Sequence, residues 1–340
     1  MKRLFGIFRI FLVVSVIMWV GCPLGNARAK VVTLKYSNFF PPVNQISILA
    51  EQWCREVEKR TNGAIKVDYF PGGTLTKPAQ TYGGVIRGIA DIGLSFAGYT
   101  RGRFPLTEVI DLPLGYKSGY AATLLANAYY EKFKPKEFDD VKLLYLHTSH
   151  PHMLFTKKPV KNLEDLKGLK IRSTGTSAKV VKALGANPVA MPMSEAYDAL
   201  AKRVADGIVC PFEPMKGFKL ADVVSYNTRF ASAYTNVAFV VMNKGIWKSL
   251  SPENRKTIEQ INKEWIEKQG RLWDDLDREA KEVFINKGGT IVELSEEENA
   301  RWTNLLRPIL DEYVRNMKAK GLPGDEALKF CVDYLKTHQK

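Results

Sequence analysis

The sequence predicts an α/β fold of two strand–helix units bridged by one long helix. Three observations predict it. Strand-like alternation gives way to helical periodicity twice over, once within 31–96 and again within 141–209. A helical pattern then runs over 252–285 with no proline after its first residue and only Gly270 inside it. At the helical rise this is on the order of 50 Å, longer than one small domain, so the helix is expected to span two. The 340 residues, 45% of them hydrophobic, can build two such cores. Composition excludes the disordered, collagen-like and coiled-coil classes.

Each element has a local cause. Residues 31–36 alternate as a strand. Ile46, Leu49, Ala50, Trp53, Cys54 and Val57 share one face of a helix over 46–60, which Asn62-Gly63 closes. A second strand covers 65–70, Pro71-Gly72-Gly73 is a loop, a helix follows over 78–87, and 91–96 reads as a short buried strand. This is βαβαβ, the start of a doubly wound sheet. The pattern then recurs. Strands are expected at 141–147 and 171–173. A helix over 178–184 is stopped by Gly185-Ala186-Asn187. Ser194 is expected to cap a helix to 202, and 206–209 forms the next strand. Residues 237–242 return as a strand to the first sheet. Ser251-Pro252 opens the long helix as N-cap and first helical residue, and Gly288-Gly289 ends it. A strand at 290–294 and a capping box from Ser295 to Glu298 lead into a helix carrying Trp302, Leu305 and Leu306.

The N-terminus sets the compartment. Lys2, Arg3 and Arg9 precede an apolar run over 10–20, and Ala27-Arg28-Ala29 supplies the small residues of a cleavage site. Residues 1–29 thus read as a secretory signal peptide, the run being short for a membrane span. Val20-Gly21-Cys22 also resembles the end of a lipoprotein signal, which would lipidate Cys22. The expected division is 30–149 plus 235–275 for the first α/β domain, and 150–234 plus 276–340 for the second with the C-terminal helices. The signal carries four basic residues and no acidic ones, so the net charge falls from +14 to 14 − 4 = +10. Export argues against nucleic acid as the partner of this charge. A solvated surface or weak steering of anionic solutes remains. Cys54, Cys210 and Cys331 show no CxxC or metal spacing. Isolated buried thiols are expected, with a Cys54–Cys331 disulfide as the alternative.

Enzyme signatures are sparse. There is no GxSxG, HExxH, Walker or GxGxxG pattern. Thr176 and Lys179 stand three apart, which a helix start explains. His147, His150 and His152 gather three of the four histidines. They read as a polar pocket wall, as ordinary structure, or as ligands of zinc. Arg172 ends a short strand ahead of Ser173-Thr174-Gly175 and a helix. Ligands of open α/β sheets sit at that strand end, where a guanidinium can take a carboxylate through two parallel hydrogen bonds. A structural ion pair is the competing role.

The segment Leu166-Lys167-Gly168-Leu169-Lys170-Ile171-Arg172 resembles the hallmark of the DctP-type solute-binding proteins of TRAP transporters. So do Gly185-Ala186-Asn187-Pro188, Met191-Pro192-Met193-Ser194-Glu195-Ala196-Tyr197, Ala205-Asp206-Gly207, Met242-Asn243-Lys244 and Asp91-Ile92-Gly93. The resemblance covers about 31–330. It implies a periplasmic-binding-protein-like fold, two α/β domains around a ligand cleft crossed by a long helix. It implies a periplasmic receptor, not an enzyme, that captures a small organic carboxylate and delivers it to TRAP membrane subunits. No metal or cofactor is implied. It places Arg172 on the ligand carboxylate. The departures matter: His152 stands where many members have a second arginine, and Cys210, followed by Pro211-Phe212, stands where an asparagine is common. Phe39 and Phe96 replace polar residues of sugar-acid binders. An apolar or aromatic monocarboxylate is therefore expected, held by Arg172 with His150, His152, Asn38, Phe39, Phe96, Met193, Cys210, Phe212, Tyr234 and Asn236 around it. The rival readings are a ligand sensor for a signalling partner and a periplasmic metal-dependent enzyme.

Overall fold

The structure, a computed structural model, describes residues 31–339, and the expected signal peptide and Cys22 lie outside them. The strands in chain order are β1 (Val32–Asn38), β2 (Ile65–Phe70), β3 (Ile92–Phe96), β4 (Val141–Thr148), β5 (Met153–Thr156), β6 (Lys170–Ser173), β7 (Asn187–Ala190), β8 (Gly207–Cys210), β9 (Tyr226–Arg229), β10 (Val237–Asn243) and β11 (Thr290–Glu293). They form two sheets, ordered β2-β1-β3-β10-β4 and β11-β9-β5-β8-β6-β7. In the first, β1 runs parallel to β2 and β3, and β10 lies antiparallel between β3 and β4. In the second, β6 is parallel to β7 and β8, while β5 runs antiparallel to β8 and β9.

Chain order explains why there are two lobes. The first sheet loses the chain after β4, and the second receives it at β5, so residues 149–152 cross between them. The return crossing is 230–236, between β9 and β10. A third crossing is the helix Pro252–Asn286, 35 residues long, with Ser251 Oγ accepting from the Asn254 N–H. Its Ile258, Ile261 and Trp265 pack in the first lobe, and its Ala280 and Phe284 in the second. Trp265 donates to the Leu49 carbonyl at 3.0 Å, and Asn262 accepts from Trp53 at 3.0 Å, which fixes the rotation of the helix on the first lobe. Each large side chain buried this way contributes about 1.5–3 kcal/mol.

Several local expectations change. Ser194 caps nothing: it lies inside a 3-10 turn, Met193–Glu195, and the helix is Ala196–Ala201. The capping box is half made. Ser295 Oγ accepts from the Glu298 N–H, but the Glu298 carboxylate turns away to Leu163 N–H and the Trp302 indole. The helix expected over 78–87 divides into a 3-10 turn, Pro78–Gln80, and an α-helix, Thr81–Ile86. The strands β5, β7 and β9 and the helices Gly119–Phe133 and Gly324–His338 complete the fold. That last helix packs on Gly119–Phe133 through Ala327, Cys331 and Leu335, while Trp302 of the preceding helix packs on Phe230 beyond β9. The C-terminal segment therefore touches both lobes. Cys54 and Cys331 are free, buried and in separate core clusters.

Candidate ligand-binding cleft

Three strands end at one cavity. β3 runs out into Phe96 and then Tyr99, β6 carries Arg172, and β8 leads into Pro211 and Glu213. The cavity is also lined by Phe40 after β1, Ser149 and His152 on one crossing, Asn236 on the other, and Trp273 of the long helix. The free volume at its centre is about 20 Å³. That is room for about one water. A ring-sized solute enters only if the lobes part or the aromatic side chains turn.

Arg172 is 2% exposed, and among the described residues no acidic side chain stands within salt-bridge distance of it. Its Nε–H donates to the Met191 carbonyl at 3.0 Å, and Nη2 reaches the Tyr99 hydroxyl at 3.4 Å. That hydroxyl accepts from the Met193 N–H at 3.1 Å, so Tyr99 ties the first lobe to the guanidinium and to the loop after β7. Among the described residues the remaining donors of the fork have no acceptor. A buried guanidinium held by its Nε side and unpaired on the other is built for an incoming anion.

The three histidines go to three places. His147 lies in the first lobe's interior, where Nδ1 accepts from Trp273 Nε1–H at 3.0 Å, and burial pushes its pKa down to about 3. His150 turns to the long helix, with Nδ1 3.1 Å from Asp277 but not aligned for a hydrogen bond. Burial pushes His150 down to about 4 and Asp277 up to about 7. Only His152 lines the cavity. Its Nε2 is 2.9 Å from Ser149 Oγ, and burial with the Arg172 charge beside it keeps the ring neutral. No group of three His, Cys, Asp or Glu among the described residues is placed to hold a metal.

Of the expected ligand residues, Arg172, His152, Phe96, Met193 and Asn236 line the cavity. Phe39 stands behind them, stacked on Phe40 at 4.3 Å, and Tyr234 backs His152 at 4.7 Å between ring centres. Cys210 is sealed within β8, near enough to Arg172 to feel its charge. Three more do not line the cavity and face elsewhere. Asn38, the last residue of β1, donates its amide N–H to the Tyr69 hydroxyl of β2 and accepts from the Phe40 N–H. Phe212 points into the second lobe against Phe155 and Phe284, its N–H held by Asp277. His150 faces the long helix, as described. Residues missed from sequence are Phe40, Tyr99, Ser149, Glu213, Phe218 and Trp273. Phe40 and Tyr99 lie within a few residues of positions already singled out. Trp273 carried no signal beyond its place on the apolar stripe of the helix.

Comparison with known proteins agrees with this geometry. Residues 36–316 match the family described as bacterial extracellular solute-binding protein, family 7, DctP. A marine metagenome TRAP solute-binding protein, described as specific for aromatic acid ligands and solved with metahydroxyphenylacetate, is 31% identical. It superposes with a TM-score of 0.86 over 91% of this chain and 100% of its own. A TRAP solute-binding protein of Rhodoferax ferrireducens, solved with copurified benzoate, is 28% identical with a TM-score of 0.85, over 91% and 99%. The C4-dicarboxylate-binding periplasmic protein of Rhodobacter capsulatus is 26% identical over 88% of this chain and 92% of its own. With the matched span covering both lobes and Arg172, the chain belongs to the DctP family of bacterial extracellular solute-binding proteins.

Proposed function

We propose that the protein is a periplasmic receptor that captures an aromatic monocarboxylate and delivers it to the membrane subunits of a TRAP transporter. The observation that carries the ligand class is a single unpaired buried guanidinium, Arg172, facing a cavity walled by Phe40, Phe96, Phe218 and Trp273. One cation suits one carboxylate, and the aromatic walls suit a ring. A second carboxylate would meet neutral His152 or the acid Glu213. The aromatic acids held by two relatives support the same class. Residues 1–29 direct export, and catalysis has no place in the receptor role. The lobes are proposed to divide at 149/150 and 234/235 and to close by bending there.

Calorimetry of the purified protein against benzoate, phenylacetate, mandelate, succinate and glucuronate tests the reading. Binding is expected for the aromatic monocarboxylates and not for the last two. A protein that bound only dicarboxylates or sugar acids would overturn the ligand class.

A further inference from the structure

Glu213 is a buried acid in the cavity that the carboxylate grip does not use. It is 3% exposed and lines the same space as Arg172. Its Oε1 accepts a 2.7 Å hydrogen bond from Nδ2 of Asn44, the N-cap of the first-lobe helix Gln45–Arg60. Among the described residues its other oxygen has no hydrogen-bond partner, and neither Arg172 nor any other cation pairs with it. The cavity thus has two polar poles, a guanidinium without an ion-pair partner among the described residues and a half-used carboxyl, with Phe40, Phe96, Phe218 and Trp273 around them. Burial pushes Glu213 up to about 7, so below neutral pH it carries a proton that it can donate.

We propose that Glu213 is a specificity-determining residue that reads a hydroxyl group on the ring of the aromatic acid whose carboxylate Arg172 holds. The inference rests on the aromatic-monocarboxylate reading above. Other ring substituents fit less well. A second carboxylate would face an acid. An ammonium group would require Glu213 to ionise in a dry site. A ring hydrogen or methyl group would leave the carboxyl's second oxygen without a partner, a costly arrangement for a buried polar group. A hydroxyl both accepts from and donates to a carboxyl. Because Asn44 holds the same carboxyl from the opposite lobe, reading the hydroxyl also rigidifies a contact made only when the lobes are together.

Calorimetry on the full-length receptor decides it, at a pH below neutrality. Benzoate and its three monohydroxy isomers are titrated into wild type, Glu213→Gln and Glu213→Met, with folding checked by thermal melts. The quantity read is the ratio of Kd for benzoate to that for the tightest hydroxy isomer. Weakening of the Asn44 contact raises both constants together and cancels from the ratio. Wild type should prefer one hydroxy isomer by roughly three- to tenfold, the yield of one hydrogen bond. Glu213→Gln should keep most of that preference, and Glu213→Met should bring the ratio to about one. An unchanged ratio in Glu213→Met, or no preference in wild type, overturns the role of Glu213 while leaving the aromatic-acid reading intact. Failure of wild type to bind any of the four acids would instead overturn that reading, and this inference with it.

Discussion

The two walls of the cleft are chemically unlike. The first lobe presents rings: Phe40 and Phe96, with Tyr99 beside them. The second adds one ring, Phe218, and presents the groups that carry or could carry charge, Arg172 from β6 and Glu213 after β8. A solute with a carboxylate on a ring therefore touches both lobes, whereas a bare anion satisfies only the second and a bare hydrocarbon mainly the first. This gives closure a selective basis. Free energy from both walls is available only when the lobes meet, so the ligand shifts the population towards the closed form by its differential affinity for it.

Removing the charged wall should produce the largest effect. Arg172→Ala leaves the ligand's carboxylate buried without a partner, which costs ~2–5 kcal/mol. Affinity for benzoate should fall by roughly 30-fold to several thousand-fold. Arg172→Lys should fall between, since it keeps the charge and loses the fork. The unliganded protein should not lose stability in proportion, because no acidic side chain is orphaned by the change. Calorimetry and a thermal melt together separate these outcomes. A variant that binds within twofold of wild type would remove Arg172 from the site.

A smaller effect is expected from keeping the walls apart without touching either. Gly98, just after β3, meets Gly175, just after β6, across the cleft mouth. A Cβ added at Gly98 would stand 3.6 Å from the Gly175 Cα, an ordinary contact. Gly98→Ala should therefore be silent, and Gly98→Leu should wedge the lobes. About a tenfold loss of affinity for every ligand alike is expected, since a depleted competent state weakens all of them by the same factor. Small-angle scattering should find a larger radius of gyration for the leucine variant with ligand present. Gly175 is the less tolerant partner. Its φ of +53° with ψ of −132° is glycine backbone, and a Cβ there comes 3.1 Å from Gly98.

The charged wall was far more legible than the aromatic one. Arg172 could be found because its strand is short, its flanks are ordered and the preceding residues form a specific run. The long helix was legible because 35 residues of unbroken periodicity have no other fold. Phe40 and Trp273 look in sequence like any buried aromatic, and only the crossing of the lobes decides which rings face the cavity. Phe212 shows the limit of neighbour counting. It sits next to a lining residue on each side, yet its ring turns into the second lobe's core. Short strands such as β7 and β9 escape because four residues make too little alternation to read. The histidines are near in sequence and look like one group, but alternation along β4 and the turn at Pro151 send them to different neighbours.

The smallest effect concerns pH, and it sharpens the contrast between buried acids and buried histidines. Burial raises Glu213 and Asp277 to about 7. Groups raised on folding contribute stability that is full below their unfolded values near 4 and is lost as pH rises through 7. The groups facing them are Asn44 on Glu213, and Glu213 itself with His150 and Asp274 near Asp277, so the two raised acids also repel each other. His150 and His147 run the opposite way, lowered by burial to about 4 and about 3. Their contribution is full above 6.5 and is lost as pH falls through those values. The melting temperature of the unliganded protein should therefore peak on the acidic side of neutrality and decline on both flanks. Each kcal/mol moves it by about 1.5 °C in a chain of this size. Glu213→Gln cannot ionise and still accepts from Asn44, so it should flatten the alkaline decline and leave the acid limb in place. An alkaline limb unchanged in that variant would assign the decline to Asp277 or another acid instead.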